Sequence, residues 1–287
     1  MADHGPTREW QCRDRSLPWG TRALVMGVLN VTPDSFSDGG RYLKSNRAVS
    51  RAHAMLEAGA DIIDVGGESS RPGATPVSAT EEQDRVLPVI EALRRDSQAV
   101  ISVDTTKSAV ARSALDCGAH IINDITAGEG DPAMIDLAAQ TGAGLILMHM
   151  QGRPQTMQEN PTYADVVTEV ADYLGQRAAE AIKQGVSVAS LAIDPGIGFG
   201  KSFDHNWTLL GNLRRLAALP YPVLIGVSRK RFLGALCDRK VEDRLAASLA
   251  AAVLARAHGA TIFRVHDVKD TCDALRVADR LRQEEAP

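Results

Sequence analysis

Short apolar runs recur along this chain, each followed by a longer segment with helical spacing, and the pairing repeats eight times. The first run closes at Asn30, and the others occupy 62–65, 100–103, 121–122, 145–148, 191–193, 223–226 and 261–265. Between them, apolar residues at three- and four-residue spacing predict helices near 47–58, 81–95, 107–116, 132–140, 163–184, 206–217, 243–258 and 268–282. Runs that are apolar at consecutive positions imply strands buried on both faces, as in a parallel sheet covered by its own crossover helices. Eight such units close into an α/β fold, the (β/α)8 TIM barrel, which uses about 250 residues, and the 287 residues here hold one. An open doubly wound sheet would show a glycine-rich dinucleotide turn after its first strand; no GxGxxG follows Asn30.

Local signals agree with that reading. Gly59 and Gly118 stand where helices should end, and Asp131-Pro132 places a capping carboxylate before a proline at a helix start. Ahead of the first unit, Trp10, Cys12, Leu17 and Trp19 alternate with polar neighbours, which predicts a hairpin across the N-terminal mouth of the barrel. The expected organisation is an extension and hairpin over 1–22, a single barrel domain over 23–282 and a flexible tail over 283–287.

Charge and cysteine usage exclude several functions. Thirty-six acidic residues against 32 Lys and Arg give a formal charge of -4, with no polybasic stretch to attract nucleic acid or an anionic membrane. Cys12, Cys117, Cys237 and Cys272 lie far apart without CxxC spacing, which argues against a zinc site and a disulfide framework and for a cytoplasmic location. Charged residues at Asp3, Arg8, Glu9, Arg13, Asp14 and Arg15 leave no apolar centre for a signal peptide, and the Ala-rich run from Leu245 to Ala255 is too short to span a bilayer.

The ends of the apolar runs carry the chemistry. Asp64 and Glu68, Asp104, Asn123, His149, Asp194, Ser228-Arg229-Lys230, and Arg264 with His266 follow successive strands. In a parallel barrel all of these meet at the C-terminal face. Taken singly, Asp, Asn or Ser at such a position simply caps the next helix; recurrence at every strand points to a site. Gly66-Gly67-Glu68-Ser69-Ser70-Arg71-Pro72-Gly73 combines a flexible start, hydroxyls and one cation, suited to closing over an anion. Asp194-Pro195-Gly196-Ile197-Gly198-Phe199-Gly200-Lys201 sets a carboxylate at a strand end, lets backbone approach a ligand and offers the ring of Phe199. Of the adjacent cations Arg229, Lys230 and Arg231, one should face inward, where barrels often hold phosphate. Alternation puts Arg264 and His266 on one side of the last strand. His149 reads as core or as support for the site, whereas His4, His53, His120, His205 and His258 read as surface or helix residues.

Seven blocks, MGVLNVTPDSFSDGG at 26–40, DVGGESSRPGA at 64–74, SVDT at 102–105, IND at 122–124, DPGIGFGK at 194–201, SRKRFLG at 228–234 and RVHDV at 264–268, occur in the order found in the dihydropteroate synthases, and the chain resembles that family from residue 23 to 282. The resemblance implies a pterin-binding TIM barrel that joins 6-hydroxymethyl-7,8-dihydropterin diphosphate to 4-aminobenzoate, releasing diphosphate in the presence of Mg2+. By matching position it implies that Asp104, Asn123, Asp194 and Lys230 hold the pterin, and that Asn30, Arg71, Arg264 and His266 hold the diphosphate, with Asn30 on the metal. Asp104, Lys230, Arg264 and His266 would carry the catalysis. The aminobenzoate would meet Thr32, Pro33, Phe36, Ser70, Arg71, Pro72, Phe199, Ser228, Lys230 and Arg231, in loops expected to order after the pterin diphosphate binds.

Further implications are inhibition by sulfonamides and a homodimer built through the late barrel helices. Two positions depart from the family pattern: Arg231 stands where many members have serine, and Ser70 where threonine is common. A pterin-binding methyltransferase domain on the same barrel would not need the VTPDSF and ESSRPG segments, and a non-catalytic paralogue would be expected to lose anion ligands; all of these are present.

Overall fold

The computed structural model describes residues 8–32, 41–69 and 73–285. A hairpin comes first, β1 (Arg8–Cys12) paired antiparallel with β2 (Arg15–Trp19). Eight parallel strands follow: β3 (Leu24–Asn30), β4 (Ile62–Gly66), β5 (Val100–Asp104), β6 (Ile121–Asp124), β7 (Gly144–Met148), β8 (Leu191–Asp194), β9 (Leu224–Ile225) and β10 (Ile262–Val265). Their spatial order is β8-β7-β6-β5-β4-β3-β10-β9. A parallel bridge between Ile193 and Val223 joins the two ends and closes the cylinder.

The crossovers are α1 (Arg41–Glu57), α2 (Ala79–Asp96), α3 (Ser108–Asp116), α4 (Ala133–Thr141), α5 (Val166–Lys183), α6 (Phe203–Gly211) with α7 (Leu213–Ala217), α8 (Arg231–Cys237) with α9 (Leu245–Ala257), and α10 (Val268–Glu285). Their starts have local causes. Ser78 accepts from Glu81 N at the head of α2, Asp165 accepts from Val167 N and Thr168 N at α5, and Ser202 and His205 form a reciprocal capping box at α6. The Asp131 carboxylate accepts from Ala133 N at α4 and reaches across to Ser108 N at α3, fixing two crossovers together.

Four expectations shift. The helix expected over 206–217 breaks at Asn212, whose non-helical backbone separates α6 from α7. The strand expected over 223–226 keeps ladder pairing only at Leu224–Ile225. An additional helix, α8, begins at Arg231, directly after Ser228-Arg229-Lys230, where Phe232 and Leu233 bury their side chains. The last helix also runs to Glu285, into the expected tail.

The interior of the barrel changes from apolar to polar along the strands. Along each strand the first inward residue is apolar: Met26, Ile62, Val100, Ile121, Ile146, Ala192, Leu224 and Ile262 form one buried cluster with Trp10, Cys12, Leu17 and Trp19 of the hairpin. The hairpin thus seals the N-terminal mouth. Trp10 is fully buried and donates its indole N–H to Ser190 O at 3.0 Å, and Arg13 N donates to Gly142 O at 2.8 Å. The fit is close at Gly144, where a Cβ would stand 2.6 Å from Cys12 Sγ. All four cysteines are free thiols. Among the described residues no helix is long and apolar enough to cross a membrane.

Candidate active site

One step further along the same strands, the inward positions become polar. Register places Asn30 beside Gly66, Gly66 beside Asp104, and Asp104 beside Asn123, so four neighbouring strands come to one level. With Asp194 from β8, Lys230 beyond β9, and Arg264 and His266 from β10, the chain brings Asp104, Asn123, Asp194, Ser228, Lys230, Arg264 and His266 to a single cavity at the C-terminal mouth. Val28, Ile125, Met148, Ile197 and Phe199 supply its apolar walls. A planar polar ring system fits this mixture of flat apolar contact and few directed hydrogen-bonding groups.

Arg264 organises one side. Its Nε donates to Asp64 Oδ2 at 2.6 Å and its Nη2 to Asp104 Oδ2 at 2.6 Å, while Asn123 Nδ2 donates to the same Asp64 oxygen at 3.2 Å. Burial alone would lower the guanidinium's pKa, but Asp64 and Asp104 raise it above its ordinary value, so it stays charged. Burial also pushes the Asp104 carboxyl up to about 7; Arg264 pulls it down, whereas Asp64, Glu82 and Asp124 push it up again.

The opposite side is built from β8 and the segment after β9. Asp194 Oδ1 accepts from Gly196 N at 2.7 Å, leaving its other oxygen for a ligand. Burial raises this carboxyl to about 6 in spite of Gly196 N and the cations Lys230 and Lys201. Of the three adjacent cations, Lys230 is the one that faces inward, with Nζ 4.3 Å from the centre of the Phe199 ring. Burial brings its ammonium down to about 8, opposed by Asp194. Arg229 instead pairs with Asp267 through Nε at 2.9 Å, and Arg231 is exposed at the start of α8. His266 Nδ1 lies 3.0 Å from Ser228 Oγ. Burial, then Arg264 and Arg229, lower the imidazole to about 4, so it is neutral near pH 7.

Lys201 supports this wall from behind. Its fully buried ammonium has three acceptors, His149 Nδ1 at 2.9 Å, Phe199 O at 2.9 Å and His149 O at 3.3 Å. The backbone approach is so close that a Cβ on Gly196 would stand 2.0 Å from His149 O. His149 therefore does support the site, by holding Lys201, which the sequence alone left unassigned. Asp64, expected at a strand end, lies in the middle of β4 and is the other contributor without an assigned role; its partner 200 residues away was not visible.

Asn30, Thr32 and Arg231 do not line the cavity; Asn30 stands beside Gly66, its Oδ1 3.7 Å from the place a Gly66 Cβ would occupy. Pro33, Phe36, Ser70, Arg71 and Pro72 lie outside the described residues, as does His4. One expectation is corrected: His120 is buried, not a surface residue, because its Nδ1 accepts from Ile101 N at 3.0 Å and so takes the place of a strand partner.

A family model described as pterin binding enzyme matches residues 26–266, a span that holds every group lining the cavity. The chain belongs to the pterin-binding enzyme family. Within that family it is 50% identical over 255 residues to the dihydropteroate synthase of Escherichia coli (strain K12), covering 89% of this chain and 90% of that protein. Its fold superposes on the Xanthomonas albilineans dihydropteroate synthase bound to 4-aminobenzoic acid with a TM-score of 0.90 at 45% identity, over 96% of this chain and 99% of that one. The Yersinia pestis dihydropteroate synthase solved with a sulfonamide drug complex gives a TM-score of 0.89 at 43% identity, again over 96% and 99%. These pterin-binding relatives are synthases, which favours that activity over methyl transfer or a non-catalytic role.

Proposed function

We propose that this protein is a transferase that condenses 6-hydroxymethyl-7,8-dihydropterin diphosphate with 4-aminobenzoate, giving 7,8-dihydropteroate and diphosphate. The observation that carries this reading is the convergence of Asp194 and Lys230 on one wall of the cavity with Arg264 and His266 on the other. A pterin presents an exocyclic amine and a ring N–H side by side, and the free oxygen of Asp194 accepts from them while Lys230 donates to the ring carbonyl. Asp104 and Asn123 meet the remaining ring edge.

An aryl amine is neutral and nucleophilic near pH 7, so a dedicated strong base would add little. The demanding step is loss of the leaving group. As the C–O bond to diphosphate breaks, the electron pair leaves with the diphosphate and positive charge grows on the pterin methylene. The aryl nitrogen then bonds to that carbon and gives up a proton. Arg264 and His266 face the departing anion, to which the family resemblance also assigns Arg71, and Asp104 steadies the cation. Among the described residues there is no cluster of three His, Cys, Asp or Glu for a metal, which suits an ion held mainly by substrate phosphates and water. Asn30 Oδ1 would be its protein ligand, and bound Mg2+ would supply charge neutralisation on the diphosphate.

The aminobenzoate is placed against Phe199 and toward Ser228 and Lys230, the side that sulfonamides would share. We also propose a homodimer through α9 and α10, where Leu254, Val277 and Leu281 stand 62%, 62% and 59% exposed on adjacent helices. Light scattering at micromolar concentration should give the mass of two chains, and a monomer would contradict it. The free thiols fit a reducing cytoplasm. The assay for the main reading is release of diphosphate that requires both substrates and Mg2+. Release without aminobenzoate, or none with both substrates, would reject it.

A further inference from the structure

Asp64 is out of place for a structural residue. It is completely buried in the middle of the barrel, on β4, one storey below the cavity that it does not itself line. A carboxylate taken out of water is stable only if paired and hydrogen-bonded. Here only Oδ2 is satisfied, by Arg264 Nε and Asn123 Nδ2, whereas Oδ1 has no hydrogen-bond partner among the described residues. If the barrel needed only a filled interior at this level, an aliphatic side chain would serve, as Ile62 does one storey down.

What Asp64 does hold is the orientation of Arg264. A guanidinium bound through Nη2 alone can swing about that contact. Bound through both Nε and Nη2, to carboxylates on two neighbouring strands, its plane is fixed. The remaining nitrogen, Nη1, makes no hydrogen bond among the described residues, and Arg264 lines the cavity. The shared Asp64 oxygen also fixes the Asn123 amide, so one buried carboxylate sets two groups of the site.

We propose that Asp64 is a positioning residue for the reaction: through Arg264 Nε it fixes the guanidinium plane, so that Nη1 faces the departing diphosphate. The claim rests on the function proposed above and goes beyond it by assigning the residue beneath the site. Geometry, more than charge, is what Asp64 supplies. Asp64→Asn keeps an acceptor oxygen at the same place without the charge, and Asp64→Glu keeps the charge but moves the oxygen by one methylene.

Steady-state diphosphate release should therefore give Asp64→Glu a kcat about 10²-fold below wild type, and Asp64→Asn a kcat within about tenfold of it. The KM for 4-aminobenzoate should change little in either. Calorimetric titration with inorganic diphosphate and Mg2+ supplies a second readout. Asp64→Ala should weaken binding in the wild-type background and add nothing in the Arg264→Ala background, because its effect passes through Arg264. Should Asp64→Ala not fold, the Asn and Glu pair decides the matter.

The inference is overturned if Asp64→Glu turns over like wild type, or if Asp64→Asn loses as much turnover as Asp64→Glu. It is overturned as well if Asp64→Ala weakens diphosphate binding equally in the two backgrounds. These outcomes leave the proposed function standing as long as wild type releases diphosphate only with both substrates; absence of release from wild type would instead reject the function itself.

Discussion

The two ends of the barrel interior are made by the same strands and differ by a single step of two residues. At the N-terminal end Ile62, Val100, Ile121 and Ile262 pack on Trp10 and Cys12 in an apolar plug. Two positions on, Asp64, Asn123 and Arg264 are joined by hydrogen bonds beside the buried Ser102, and the next step brings Asp104, bound to Arg264, and His266. The difference teaches how one fold divides its work. Apolar burial at one end stabilises the cylinder, about 25 cal/mol for each Å² removed from water, and so tolerates at the other end buried charges that hold a ligand but do little for stability.

The sharpest way to break this comparison is to remove a charge from the polar end. Arg264→Ala should lower turnover by about 10²–10³-fold, with an unchanged far-ultraviolet circular dichroism spectrum. Near-normal turnover would remove Arg264 from the mechanism.

The reverse experiment addresses the plug. Trp10→Ala empties a fully buried site and should lower unfolding stability by about 3–5 kcal/mol in urea titrations. The kcat/KM of the protein that remains folded should stay within about twofold of wild type. A loss of activity larger than the loss of folded protein would mean that the two ends are coupled.

A third test sharpens the polar end by pH. Burial raises Asp194 to about 6 and lowers Lys230 to about 8. Below about 6 Asp194 takes up a proton and ceases to accept from both pterin donors; above about 8 Lys230 loses its proton and its charge. Asp104, raised to about 7, adds to the acid limb, so the kcat/KM for the pterin diphosphate should be bell-shaped with its maximum between about 7 and about 8. Lys230→Arg, which stays charged, should abolish the alkaline limb although its maximum is lower. An unchanged alkaline limb in that variant would assign it to another group.

The smallest effect is expected at Gly144, where a Cβ would meet Cys12 Sγ at 2.6 Å. Gly144→Ala should cost about 1–3 kcal/mol of stability by overpacking, and Cys12→Ala in the same chain should recover part of it. Melting curves of the single and double variants check this; purely additive losses would show that the hairpin does not press on β7.

Most of the fold was legible because the two periods, strand and helix, alternate without interruption from β3 to α10. The additional α8 was not, since a seven-residue helix headed by Lys230 and Arg231 shows little periodicity before its Phe232 and Leu233 find the core. Nor was the break at Asn212, where apolar spacing runs on through Leu209, Leu213 and Leu216 although the backbone does not. For the site, strand-end position was enough to gather Asp104, Asn123, Asp194, Lys230, Arg264 and His266, because a parallel barrel points all its strand ends one way. Roles that depend on a partner distant in sequence stayed hidden. Asp64 is defined by Arg264, Lys201 by His149, and the burial of His120 by Ile101 N.

A structure of the protein with the pterin diphosphate and Mg2+ bound tests the central claim most directly, that strand ends spread from Asn30 to His266 act as one site. The pterin ring should lie between Met148 and Arg264 in the cavity, with its amine edge on Asp194 and its carbonyl near Lys230, and with the diphosphate toward Arg264, His266 and Asn30. A pterin found elsewhere, or one whose amine edge faces away from Asp194, would contradict the account.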